Sequence, residues 1–90
     1  RLVRDWSSDG ALPICGFFNT DLELRLLGLQ PSKLIICGVC TDICVLHTAS
    51  DARNRDYIVE IPKDCVASFD LDAHKWALRH ASDILGVNVT

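Results

Sequence analysis

The sequence predicts an α/β domain, helices covering a parallel sheet in an α/β/α arrangement, and three observations carry that expectation. Leu34, Ile35, Ile36, Cys37, Gly38 and Val39 form an apolar run without alternation, the pattern of a strand enclosed on both faces and too short for a helix. Between Thr41 and Arg55 the apolar positions Val45, Leu46, Ala49 and Ala52 recur at helical spacing, with Asp51, Arg53 and Asn54 on a wetter side. The alternation of helix and strand then continues to the end of the chain, as right-handed crossovers between parallel strands require.

Taken in order, Thr20, Asp21, Leu22 and Glu23 read as a capping box that opens a helix to about Leu27, with Gly28 as its stop. Leu22, Leu24, Leu26, Leu27 and Leu29 are dense enough to predict cover on more than one face of that helix. Pro31 and Ser32 mark the turn into the apolar strand. A second strand spans residues 57–61, closed by Pro62, Lys63 and Asp64 before a loop through Ser68 and Phe69. Asp70 and Asp72 place negative charge at the start of a third helix, worth a few tenths to about 1 kcal/mol against its dipole. Ala73, Trp76, Ala77, His80, Ala81 and Ile84 give that helix an apolar stripe, which makes Trp76 a core residue; Gly86 ends the helix, and residues 87–90 form a last short strand. No repeat, low-complexity tract or linker divides the chain.

A formal net charge of −3 with scattered Lys and Arg leaves no basic stripe for a phosphate backbone, so nucleic acid is not an expected partner. No apolar run approaches the roughly 20 residues of a membrane span, and the first residues lack a signal peptide's apolar stretch, so a cytoplasmic protein is expected. Five cysteines, an odd number, point to reduced thiols rather than a disulfide framework. Each reads first as a small buried hydrophobe, Cys37 and Cys65 included. Cys44 is the exception. If Thr41 caps the helix, Cys44 falls in its first turn at the carboxyl end of a parallel strand, where α/β sheets bind ligands and where backbone amides favour a thiolate nucleophile. The same amides could hold the oxyanion formed when a carbonyl is attacked. Cys40 lies in the strand-to-helix loop, with a packed side chain and an amide of greater interest. Asp42 reads as a helix-start residue before a catalytic one, and His47, His74 and His80 show no ligand spacing and take surface or packing roles.

The run from Gly38 to Ala49, centred on Thr41, Asp42, Cys44 and Val45, resembles the nucleophile motif of the isochorismatase-like cysteine hydrolases. Phe17, Phe18, Asn19, Thr20, Asp21 and Leu22 are similar to another element of that family, and Val66, Ala67, Ser68 and Phe69 with His74, Trp76, Ala77 and Leu78 extend the likeness to the end. The wording around Cys44 and along the third helix looks most like bacterial nicotinamidases. Residues 1–14 do not read like the family. The chain is therefore expected to be one partial domain over 1–90, with 1–14 an atypical leader and 15–90 the C-terminal portion of the isochorismatase-like hydrolase fold.

The resemblance implies a cysteine amidohydrolase that converts nicotinamide to nicotinate and ammonia through a thioester on Cys44. It implies an oxyanion hole from the backbone amides of Cys40 and Cys44, a cis peptide entering Cys40, and an aspartate and a lysine that manage protons and charge. A divalent metal such as zinc, a small-molecule amide substrate and a family-like homo-oligomer are implied in the same way. Aligned on Cys15 in place of the family's serine, the lysine position falls on Ala11 and a tyrosine position on Ile14, while the aspartate and metal ligands belong to a part of the family that these residues do not match. Asp5 and Asp9 read as solvated loop carboxylates. The residues present support no cofactor of their own, and the 90-residue chain is expected to be inactive by itself and marginal in stability. A family hydrolase of another small substrate and a non-catalytic relative are the alternatives. Isochorismatases cleave a vinyl ether without need of the cysteine, so Cys44 favours amide hydrolysis.

Overall fold

Apolar side chains at strand and helix spacing decide which surfaces meet, and the computed structural model describes the result for residues 15–18 and 20–90. Helix α1 (Leu22–Leu29) leads to strands β1 (Leu34–Ile35) and β2 (Gly38–Val39). A π-helical turn (Thr41–Val45) runs into α2 (Leu46–Asn54), followed by β3 (Val59–Ile61), a 3₁₀ turn (Lys63–Cys65), β4 (Val66–Ala67), α3 (Leu71–Asp83) and β5 (Asn88–Val89). Strand β3 lies between β1 and β5, and β2 pairs with β4, every pair parallel. The α/β class with a parallel sheet is the one expected.

The apolar run at 34–39 is two strands rather than one. Leu34 and Ile35 register with Val59 and Glu60, whereas Gly38 and Val39 register with Val66 and Ala67. The change of partner falls at Gly38, whose φ of 126° is open to glycine and costly for other residues. An added Cβ there would meet nothing within 4 Å, so the glycine is needed for its backbone angle and not for space. Among the described residues, enclosure on both faces does not hold for this run: Ile35, Cys37 and Val39 are exposed, and Leu34 and Ile36 alone pack on the core. Strand β4 lies where a loop was expected, since two residues carry no periodicity to read.

The core gathers Val59 and Ile61 of β3, Ala49 and Ala52 of α2, Ala81 of α3, Leu26 of α1, and Cys15, Phe17, Val45, Val66 and Val87. Small residues on α2 and α3 let those helices approach closely. Arg53 ties the ends together, its guanidinium donating to the Leu85 and Tyr57 carbonyls at 2.8 Å each. Helix α1 departs from the capping-box expectation. The Thr20 hydroxyl donates to the Gly16 carbonyl and accepts the Leu22 amide, while Glu23 faces Arg55 at 3.3 Å instead of reaching back. Gly28 lies inside the helix, and the stop is Gln30 in the left-handed region with φ 51°. Leu26 is buried, but Leu24, Leu27 and Leu29 are exposed, so one face is covered among the described residues.

Helix α3 starts as its sequence requires, with Asp70 accepting the amides of Asp72 and Ala73. Trp76 is not in the core. It is 52% exposed and stacks on His80 with ring centroids 4.9 Å apart, leaving Ala77 and Ala81 to make the buried contact. Among the described residues no helix is long and apolar enough to cross a membrane.

Candidate active site

Strand β2 delivers the chain to the site. The Val39–Cys40 peptide is cis, the conformation implied by the resemblance, and Cys40 continues in an extended conformation before the chain coils. The Cys40 carbonyl accepts the amides of both Ile43 and Val45 at 3.1 Å, and the Leu46 amide reaches the carbonyls of Ile43 and Thr41. This five-residue spacing widens the first turn into a π turn, a departure from α-helix that recurs at functional sites. Cys44 sits within that turn, half-buried, and Cys40 is buried at its entrance. Among the described residues the Cys40 amide has no hydrogen-bond acceptor.

The structure assigns different partners from those expected to the residues flanking the thiol. Cys40, not Thr41, occupies the cap position, and it makes no side-chain cap. Thr41 is 1% exposed, and its hydroxyl lies 2.8 Å from His74 Nδ1 on α3. The Asp42 carboxylate accepts the Ser68 hydroxyl at 2.6 Å. His47 Nδ1 lies 2.7 Å from the Ile43 carbonyl one turn back. A hollow of about 130 Å³ beside the turn is lined mostly by apolar side chains, Val39, Cys40, Ala67, Ser68 and Phe69. A second hollow on α3, lined by Trp76, Arg79, His80, Asp83 and Ile84, involves none of these turn residues.

Cys15, the residue aligned with the family's serine, is buried and donates from Sγ to Asp51 Oδ2 at 2.6 Å. Burial first, and then this bond to Asp51, push its thiol above the ordinary range, against the smaller opposite effect of backbone amides at Phe17 and Phe18. The Gly16 amide donates to Thr48 Oγ1 at 2.9 Å, so two bonds fix this segment on α2 one and two turns beyond Cys44. Arg55 closes the same corner, its guanidinium 4.5 Å from the Phe17 ring centroid.

Cys37, between β1 and β2, and Cys65, at the end of the 3₁₀ turn, are exposed, not packed. Cys37 and Cys40 have two residues between them, the spacing of a redox or zinc pair, which corrects the expectation that no cysteine pair shows it. All five cysteines are free thiols. Among the described residues no three His, Cys, Asp or Glu side chains converge as a metal would need, so the donor set does not fit the zinc implied by the resemblance. Asp5, Asp9, Ala11 and Ile14 lie outside the described residues. The roles of Ser68 and His74 at the turn escape a reading of the sequence, since 26 and 33 residues separate them from their partners.

Comparison with known proteins gives the same picture. The isochorismatase domain model matches residues 13–90. An isochorismatase family protein of Bacillus subtilis, PncA, is 49% identical over 73 residues, which are 81% of this chain and 40% of that protein. The crystal structure of the nicotinamidase PncA from Bacillus subtilis superposes with a TM-score of 0.85 at 44% identity, covering 88% of this chain and 43% of that one. The pyrazinamidase of Pyrococcus horikoshii, solved in complex with zinc, superposes at 0.82 with 31% identity, covering 87% of this chain and 43% of that one. The chain thus spans about two fifths of the length of the Bacillus relative. With the domain matched over most of its length and the strand, turn and helix around Cys44 in place, the chain belongs to the isochorismatase family of hydrolases.

Proposed function

We propose that these residues carry the nucleophile of a cysteine amidohydrolase acting on a small aromatic amide, nicotinamide, to give nicotinate and ammonia. The observation that carries this reading is the position of Cys44, half-buried in a π turn at the carboxyl end of β2, directly after a buried Cys40 whose amide lacks an acceptor among the described residues. The thiolate of Cys44 attacks the amide carbon, and the developing oxyanion is held by the backbone amides of Cys40 and Cys44. Ammonia leaves with the proton taken from the thiol, and water then releases nicotinate from the thioester. The proton acceptor and the lysine implied by the family resemblance have no match in residues 15–90, and no step here is routed through a metal. The hollow lined by Val39, Ala67 and Phe69 offers an apolar wall for the ring. The likeness to nicotinamidase structures supports the substrate choice.

The test is a chimera. Residues 15–90, joined to the N-terminal part of the Bacillus subtilis relative, are expected to release ammonia from nicotinamide, and the 90-residue chain alone is not, because incomplete catalytic units lose several orders of magnitude in rate. Activity in the Cys44→Ala chimera equal to that of the parent chimera contradicts the reading.

A further inference from the structure

We propose that Ser68 and His74 are positioning residues for Cys44, holding from the β4–α3 segment the two residues, Thr41 and Asp42, that lie between Cys40 and Ile43. This rests on the reading of Cys44 as the nucleophile. The Cys40 carbonyl is shared by two amides in the π turn, an arrangement with less internal definition than an α-helical ladder. Outside contacts supply what the turn lacks. Thr41 is almost wholly buried against His74, and leaving its hydroxyl unpaired there would cost more than the bond itself contributes. A hydroxyl both donates and accepts, so this bond forms with either neutral tautomer of the imidazole. Asp42 is held by Ser68, and Ser68 Oγ in turn accepts the amide of Asp70, the residue that caps α3. Both clamps are therefore anchored at the N-terminal end of one helix, and each grips a residue within three positions of the thiol.

The measurement is site-resolved alkylation of the chimera described above, which completes the domain, with iodoacetamide at neutral pH, the rate at Cys44 compared with that at exposed Cys65 in the same molecules. In the parent chimera Cys44 is expected to outpace Cys65. His74→Ala and Ser68→Ala are expected to lower the Cys44 rate by about ten-fold or more while leaving Cys65 unchanged, since small displacements of a reacting group are costly. His74→Gln and Ser68→Thr, which can still reach their partners, should recover part of the loss. Should His74→Ala fail to fold, Ser68→Ala decides the matter alone. An unchanged Cys44 rate in the folded Ala variants overturns the proposal and leaves the nucleophile reading standing, and so does a change shared equally by Cys65. A Cys44 no faster than Cys65 in the parent chimera removes the nucleophile reading itself, and the positioning role with it.

Discussion

Cys15 and Cys44 are two thiols in contact with α2 or its first turn, and their surroundings differ. Cys15 is buried and hydrogen-bonded to a carboxylate, and both raise its pKa above the ordinary thiol range. It is expected to be the slowest of the five cysteines to alkylate, and peptide mapping after a short pulse of reagent checks this. The sign of the pH effect follows: a thiol with a raised folded pKa favours the folded state until pH climbs past its unfolded value, and stability is then lost as pH approaches the folded one. Glu60 runs the other way. The Lys33 ammonium, 2.9 Å from its carboxylate, holds its pKa below the usual range, so the pair's contribution is present above the unfolded carboxylate value and lost as pH falls through the lowered one. Comparing denaturation midpoints of wild type and Lys33→Met across acidic pH should show the difference shrinking as pH falls, and shrinking with added salt. The position of Cys44 at a strand-to-helix turn was legible in the sequence, but the Ser68 and His74 contacts were not, because a hydrogen bond across some thirty residues leaves no periodic trace.

Elements defined by backbone chemistry were easier to read than those defined by pairing. Asp70 before an apolar stripe announced α3 correctly, and Asp70→Ala is expected to lower stability by about 1 kcal/mol, measurable by chemical denaturation, since it strips acceptors from two amides. The strand at 34–39 was legible as extended and apolar, but its division was not. Gly38 marks the place where the chain leaves β3 and takes up β4, and hydropathy cannot report a change of partner. Gly38→Ala is expected to cost about 1–3 kcal/mol through its positive φ alone, with no clash to relieve. Helix α1 misled for a related reason: five leucines in eight residues promise enclosure, but among the described residues only the Leu26 side, with Leu22, reaches the core.

At the scale of the whole molecule, a parallel sheet with Val59 and Ile61 in its core still leaves Ile35 and Ile58 exposed, as are Cys37 and Val39. Apolar side chains in the open beside strand edges invite pairing with another chain. The 90-residue chain is therefore expected to self-associate on size-exclusion chromatography, and a monodisperse monomer with a single cooperative unfolding transition would contradict this. The family and its α/β class were readable from motifs spread over residues 15–90, whereas the proposed substrate rests on the resemblance. The central claim is that Cys44 forms the covalent bond to the substrate. Acid quenching of the active chimera during turnover of nicotinamide, followed by peptide mass spectrometry, tests it most directly. A nicotinoyl group on the peptide containing Cys44, absent in Cys44→Ala, is the predicted result; turnover that leaves the acyl group on another residue would contradict it.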